Sequence, residues 1–386
     1  MASKKYTLLA GLFCLLVSSA FSQAQIRAYE DSSVIPTKRM PQHTEFLNGT
    51  YNYPAKPRNQ WEIGIKGGLS SISGDVRARI PTFGGGLHVR KAFGYVFSMR
   101  LEYDYLTAKG LNFAGSNGFV RNPVLSAIYT PGTTIFYNYK TTISELGIHG
   151  IVTLNNIRFH KAKTGMNFYA FGGIAGVVFN AKYNALNGST PYNYASIPRV
   201  VLDNRKDAIK ALKDLLDDSY ETKAERDPLA PKLGNNPFKP GFLVGAGVQI
   251  KLSNKLNIAI EDKFTSVKTD LLDGQQWQEN WDSRAGGAVA QTRDYDSYNF
   301  FSVGLNINLG AKAVEPLWWL NPLDYAYSEI RKPKLMIMPK PVLPDADGDG
   351  VTDQFDQEQT PQGCPVDTHG VSLDTDGDGV PDCKDK

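Results

Sequence analysis

The sequence is poor in the residues that most soluble catalysis uses. Its 386 residues hold three cysteines and five histidines. The histidines show no metal-ligand spacing and no Gly-x-Ser-x-Gly motif is present, so no enzymatic activity is expected. Charge of one sign is lacking too. The formal net charge is +3, with both signs interspersed until an acidic tail, which excludes the basic footprint of a nucleic-acid-binding protein. After the first residues every apolar run is broken by a charge or amide well short of the ~18 residues that mark a spanning helix. An exported soluble protein remains, or a β-barrel, whose spans are hidden from hydropathy by their alternation.

Export is indicated by Lys4 and Lys5, the apolar run from Leu8 to Val17 and the small residues from Ser18 to Ser22, which together read as a signal peptide. Cleavage is expected after Ser22 or Ala24. Cys14 lies inside the apolar run and leaves with it. Cys364 and Cys383 then remain as an even pair in an oxidising compartment and are expected to form a disulfide.

What the chain does have is aromatic residues, glycine and period-two alternation. Tyr and Phe number 19 each and Gly 36, a palette of strands and interface girdles. Trp61, Ile63, Ile65 and Leu69 alternate with Glu62, Gly64, Lys66 and Gly68. Tyr95, Phe97, Met99, Leu101, Tyr103 and Tyr105 alternate with Ser98, Arg100, Glu102 and Asp104. Further strands are predicted over Phe83 to Arg90, up to about Leu154, over Phe168 to Phe179 with ambiguous phase, over Phe242 to Leu252, over Leu256 to Thr265 and over Phe301 to Leu309. About eight strands of ~9–11 residues are expected, in an all-β, eight-stranded antiparallel transmembrane barrel over 61–310. Asp262 on the outward phase is a blemish, placed near the headgroups or beyond a bulge.

The connections alternate strictly between long (Ser70 to Pro81, Thr107 to Thr134, Lys182 to Lys239, Asp270 to Asp296) and short (Lys91 to Gly94, Asn155 to Gly165, Ser253 to Lys255). Outer-membrane barrels have this asymmetry, with long loops outside the cell and short turns in the periplasm. The inward phase collects Glu62, Lys66, His88, Arg90, Arg100, Glu102, Asp104, Glu145, His149, Glu261 and Lys263. An ion path is one reading; a barrel of this size filled by its own paired side chains is the other. Asp203 to Tyr220 reads as an amphipathic helix, either a partner-binding element or one packed onto the loops. Trp318 and Trp319, just past the last strand, suit either a membrane interface or packing under the barrel.

The domain expectations are a signal peptide over 1–24, a periplasmic extension over 25–60, the barrel, a Pro-rich linker over 311–344 and a calcium-binding segment over 345–386. In that segment Asp345, Asp347, Asp349, Asp353 and Asp356 occupy positions 1, 3, 5, 9 and 12 of a twelve-residue loop, with Gly350 at 6 and the Val351 carbonyl at 7. Asp374, Asp376, Asp378, Val380, Asp382 and Asp385 repeat the spacing. Oxygen-only donors in flexible loops favour Ca2+ over magnesium or zinc. Position 12 is Asp rather than Glu and no amphipathic helices flank the loops, so this is not an EF-hand pair.

DADGDGVTDQFDQEQTPQGCPVDTHG followed by DTDGDGVPDCKDK resembles thrombospondin type 3 repeats. That resemblance implies that the aspartates ligate calcium and that Cys364 and Cys383 staple the wrapped chain. Signal, barrel, the Trp-Trp-Leu-Asn-Pro segment and the Asp loops together resemble the outer membrane protein A family as it occurs in Bacteroidetes-like bacteria. The resemblance implies a structural outer-membrane anchor in contact with membrane lipid and with possible envelope protein partners, with the Asp-rich segment in the periplasm. In that family a peptidoglycan-binding domain normally follows the repeats; this chain stops at Lys386, so peptidoglycan binding falls on no residue here. A narrow diffusion pore and a surface adhesin acting through the long loops are the alternatives.

Overall fold

The computed structural model describes residues 32–58, 61–76, 79–113, 115–157, 165–197, 204–253, 255–279, 289–291, 295–309, 316–321, 323 and 343–385. The segment expected to be a signal peptide and most of the expected Pro-rich linker lie outside them. The chain divides into two units, Met1–Tyr327 and Ser328–Lys386.

In the first unit eight long strands carry the fold: β1 (Trp61–Ser73), β2 (Thr82–Ala92), β3 (Phe97–Leu111), β4 (Asn138–Thr153), β5 (Met166–Tyr183), β6 (Asn236–Lys251), β7 (Leu256–Val267) and β8 (Ser297–Leu309). Each pairs antiparallel with its neighbour in sequence, and β8 returns to β1 with Trp61 opposite Leu309 and Ser73 opposite Ser297. The barrel is therefore closed, and closure removes the unpaired edge that an open sheet would leave. All eight predicted strands are present, but they run to 11–18 residues rather than ~9–11. They are longer because their ends at the long-loop side continue into a cap built by the loops.

Alternation sorts the side chains. Ile65, Phe83, Leu87, Leu101, Tyr105, Leu146, Ile174, Phe242, Val303 and Leu305 point outward and are exposed. Their inward neighbours are buried. An apolar surface that circles a barrel in this way is stable only against an apolar solvent. Asp262 sits on this outward face, opposite Phe301, and accepts a 2.7 Å hydrogen bond from Asn299 Nδ2. Beyond Phe301 the outward residues of β8 become Asn299 and Ser297. On β7 the exposed Phe264 continues the apolar face past Asp262, and no bulge lies between β7 and β8.

Tyr95 is not on a strand. It belongs to the short turn before β3 and packs, half-buried, against Trp318 and Trp319. The predicted helix is present as Arg205–Leu215, capped by Asn204, whose side chain accepts from Lys206 N. Leu212 is buried in the cap, with Ala211, Leu215 and Leu216 packed against it, so the apolar stripe faces the loops. Other cap residues are Phe119, Tyr129, Phe136, Tyr194 and Leu272.

Candidate metal centre and barrel lumen

The eleven inward charged and histidine residues named from the sequence are all buried, none above 7% exposed. They fall into two connected tiers. In the upper tier Lys66, Arg100 and Lys263 face Glu102, Asp104, Glu145 and Glu261. Lys66 Nζ lies 2.6 Å from Glu102 and 3.6 Å from Glu261. Lys263 Nζ lies 2.9 Å from Glu102 and 2.7 Å from Glu145, and also pairs with Asp104. Arg100 pairs with Glu102 at 3.1 Å and with Glu261. Tyr169 donates to Glu261 at 2.6 Å, and Tyr298 donates to Glu145.

Glu102, Asp104 and Glu145 bring carboxylate oxygens within 4.8 Å of one another, the geometry of a cation site. The cation among them is the Lys263 ammonium. A charge buried this deeply costs several kcal/mol unless paired, and here each of the four carboxylates lies against at least one of the three cations. Neither His88 nor His149 joins a ligand set with these acids. Small residues make the room: a Cβ on Gly64 would run into His88 and Asn306, and one on Gly86 into Asp104.

The lower tier centres on Glu62, which accepts from Asn257 Nδ2 at 2.8 Å and from Gln249 Nε2 at 3.3 Å. Arg90 donates to Ser98 at 2.8 Å and to Gln249 at 3.1 Å. Below it, a 3-10 turn over Leu317–Trp319 fills the short-turn end. Trp318 and Trp319 are 1% and 0% exposed. The Trp318 carbonyl accepts from Asn156 Nδ2 at 2.8 Å and from Asn167 Nδ2 at 3.1 Å. The interface reading of these tryptophans is thereby overturned: a lipid-interface ring keeps one edge in water, and these rings are enclosed.

Tyr169 and Phe171 were missed as lumen residues because glycines blur the phase of β5. Their inward positions follow from register, Phe171 lying opposite Ile151 and Gly245. Arg100 stacks on Phe171 at 4.8 Å.

The second unit carries the aspartate loops. Asp345, Asp347 and Asp349 gather one oxygen each within 4.8 Å, and Asp374, Asp376 and Asp378 do the same. The two loops share one pattern of hydrogen bonds. Asp345 Oδ1 and Oδ2 accept from Gly348 N (2.8 Å) and Gly350 N (3.1 Å); Asp374 accepts from Gly377 N and Gly379 N, both at 2.8 Å. Gly350 and Gly379 have φ of +96° and +89°, which a side chain rarely adopts, hence glycine at position 6. Asp353 and Asp382 turn to the backbone N–H of Ala346 and Thr375, each at 2.7 Å. The hydrogen bonds from Thr375 hold the Asp382 carboxyl below its ordinary range.

Val351 and Val380 donate their N–H groups to Asp349 and Asp378, at 2.7 and 2.8 Å. Asp356 lies with Asp349 against Gly370, so the first loop's twelfth position returns to its fifth. The gathered set is the first three aspartates of each loop, and Asp385 is outside it. Thr360, which no spacing rule marks, is buried and donates its N–H to Asp347 (2.6 Å) and its hydroxyl to Asp349 (3.0 Å). Cys364 and Cys383 are disulfide-bonded, with Cα atoms 5.2 Å apart.

The chain matches no protein-family model, and no curated protein matches it in sequence. Solved barrels are similar in outline. Neisserial surface protein A is 9% identical, with 64% of this chain and 97% of that one covered and a TM-score of 0.30. Ail, the attachment invasion locus protein of Yersinia pestis, is 8% identical, with coverage of 65% and 99% and a TM-score of 0.31. The N-terminal β-barrel domain of Pseudomonas aeruginosa OprF is 7% identical, with coverage of 65% and 100% and a TM-score of 0.27. The likeness is one of architecture alone.

Proposed function

We propose that this chain is an outer-membrane barrel protein with a structural role, sealed along its axis, that anchors a calcium-stiffened segment. The single observation carrying it is the pairing of an exposed apolar belt outside with a buried, ion-paired charge network inside. Lipid is the solvent that makes the first favourable, and mutual ion pairing offsets the desolvation cost of the second. The long loops would then lie outside the cell and the short turns, Trp318 and the Asp-rich segment in the periplasm. A longer form carrying a cell-wall-binding domain would tether the barrel to peptidoglycan, and other envelope proteins are candidate partners.

Calcium fits the donor set of the second unit because every contributed group is a hard oxygen and the loops are glycine-hinged. Asp345, Asp347 and Asp349, with Asp353, Asp356 and the Val351 carbonyl, would hold one ion. Asp374, Asp376 and Asp378, with Asp382, Asp385 and the Val380 carbonyl, would hold another. Bound there, calcium would screen the mutual repulsion of the aspartates and stiffen the segment.

The test of the barrel reading is reconstitution. The protein should insert into bilayers, show strand circular dichroism in detergent and migrate differently before and after heating. Conductance should equal that of the empty bilayer. Steady channel currents would replace the sealed anchor by the diffusion pore, and a protein that stays soluble and monomeric without detergent would end the membrane reading.

A further inference from the structure

A row of four lysines crosses the outer face of the barrel at its long-loop end. Lys109 on β3 lies directly opposite Lys140 on β4, Lys140 opposite Lys182 on β5, and Lys182 opposite Lys223 in the short strand Thr222–Lys223. Directly opposed residues share a face of the sheet, and at ~4.8 Å per strand the row is about 14 Å long. Each of the three long strands places its lysine on the outward phase: Lys109 follows Tyr103, Tyr105 and Thr107, and Lys182 follows Ile174, Val178 and Asn180. The row therefore begins where the apolar belt ends.

Like charges directly opposite one another destabilise a sheet, and a sequence selected for stability alone would interleave carboxylates. Among the described residues one acid pairs with the row: Asp218 Oδ2, 3.4 Å from Lys109 and itself largely exposed. Lys140, Lys182 and Lys223 have no ion pair among the described residues. Lys109 and Lys140 instead flank the buried Tyr220 ring, 4.9 and 5.9 Å from its centroid. Tyr220 and Asp218 have φ of +47° and +60°, the positive-φ residues other than glycine in the described chain. A conformation that ordinary residues avoid is held where it sets an aromatic ring between two cations.

We propose that this row binds the phosphorylated headgroup of a lipid in the leaflet surrounding the long-loop end, with the lysines spaced to take two phosphates. Charge complementarity names the anion, and the outward phase just past the belt names its source. A soluble polyanion would approach the mouth of the barrel, whereas a headgroup is delivered at the height of the row by its own acyl chains. The inference rests on the reading that the belt faces lipid.

The experiment uses the full chain in nanodiscs of phosphatidylcholine containing a small fraction of bis-phosphorylated glycolipid, or of the same glycolipid after phosphatase treatment. Co-purifying lipid is counted by native mass spectrometry. The phosphorylated form should be retained over the dephosphorylated one. Lys140→Gln/Lys182→Gln should lower that retention roughly thirtyfold, about fivefold for each lysine near a charged surface. Lys210→Gln/Lys213→Gln, an equal charge change on the exposed side of the helix Arg205–Leu215, should leave it unchanged. Equal retention of the two glycolipids, or no loss in the K140Q/K182Q variant, would overturn the proposal. So would displacement of the glycolipid by a soluble sulfated oligosaccharide at equal concentration, which would give the row to a polyanion. Failure of the unmutated protein to enter nanodiscs would overturn the membrane reading itself, whereas insertion without headgroup preference would overturn only this one.

Discussion

The guanidinium carbon of Arg90 lies 3.7 Å from the centroid of the Trp318 ring. This contact joins the lower tier of the lumen network to the turn that fills the short-turn end. Arg90 is thus held from three directions, by Ser98, by Gln249 and by the indole face. Trp318→Ala should empty a fully enclosed site and expose that cation, lowering stability by about 3–5 kcal/mol, whereas Trp318→Phe should cost markedly less. Urea midpoints in detergent check both, and acrylamide quenching should show the indole shielded in the unmutated protein.

Lys263 serves three carboxylates at once. Replacing it by Met leaves Glu102, Asp104 and Glu145 without their shared cation, and removal of one partner from a buried charge group costs about 3–5 kcal/mol. Adding Glu145→Gln and Asp104→Asn should recover part of that loss. A Lys263→Met protein with an unchanged denaturation midpoint would mean that water reaches the lumen.

The cap carries a buried acidic pair, Asp273 and Asp296, 1% and 2% exposed. Asp273 accepts from the N–H groups of Val76 and Gln275, both at 3.0 Å, and Asp296 accepts from Leu272 N at 2.7 Å. Burial first, with Asp75 nearby, pushes the Asp273 carboxyl up to about 7. Burial and then the charge of Asp273 raise Asp296. A carboxyl whose folded value is raised keeps its proton in the cap after the opened chain has lost it. The cap is therefore most stable below the ordinary carboxylate value and loses stability as pH rises toward about 7. Hydrogen-exchange protection of Val76, Leu272 and Gln275, corrected for intrinsic rates, should fall from pH 4.5 to 7.5. In Asp273→Asn that slope should flatten.

In the second unit, calorimetry of the full chain in detergent should show calcium binding at two loops. Asp347→Asn should remove one binding event and Asp376→Asn the other. Thr360→Val should weaken the first alone, because only Asp347 and Asp349 lean on that residue. No heat from the unmutated protein would end the calcium reading.

Cys364→Ser opens a loop closed over a sequence separation of 19. Chain-entropy reasoning makes that closure worth about 3 kcal/mol. The change should appear as faster proteolysis between Pro344 and Lys386, with the heat-shifted mobility of the barrel untouched.

Much of this was legible in the sequence, for a physical reason. Where one face of a strand meets lipid and the other a wet or charged interior, as from Phe301 to Leu309, chemistry alternates with geometry and the strand reads itself. The signal fades where both faces are covered. Asn138 and Tyr139 at the start of β4 are both buried, so that boundary could not be read from period two. Tyr95 continued an outward series by spacing, yet its ring is drawn under the barrel by Trp318 and Trp319. Those two tryptophans follow one another with leucine on either side, a run with no polar face, which is what enclosure on all sides requires. The aspartate positions were plain because carboxylate spacing repeats; Thr360 was not, since its contact with Asp347 depends on how the chain folds back.

The meeting of β8 with β1 has one more consequence. Because Trp61 stands opposite Leu309, the segments entering and leaving the barrel part from neighbouring points of one rim. Whichever compartment receives Arg58 also receives Trp318, so a single protease-accessibility measurement at either flank fixes the orientation of both.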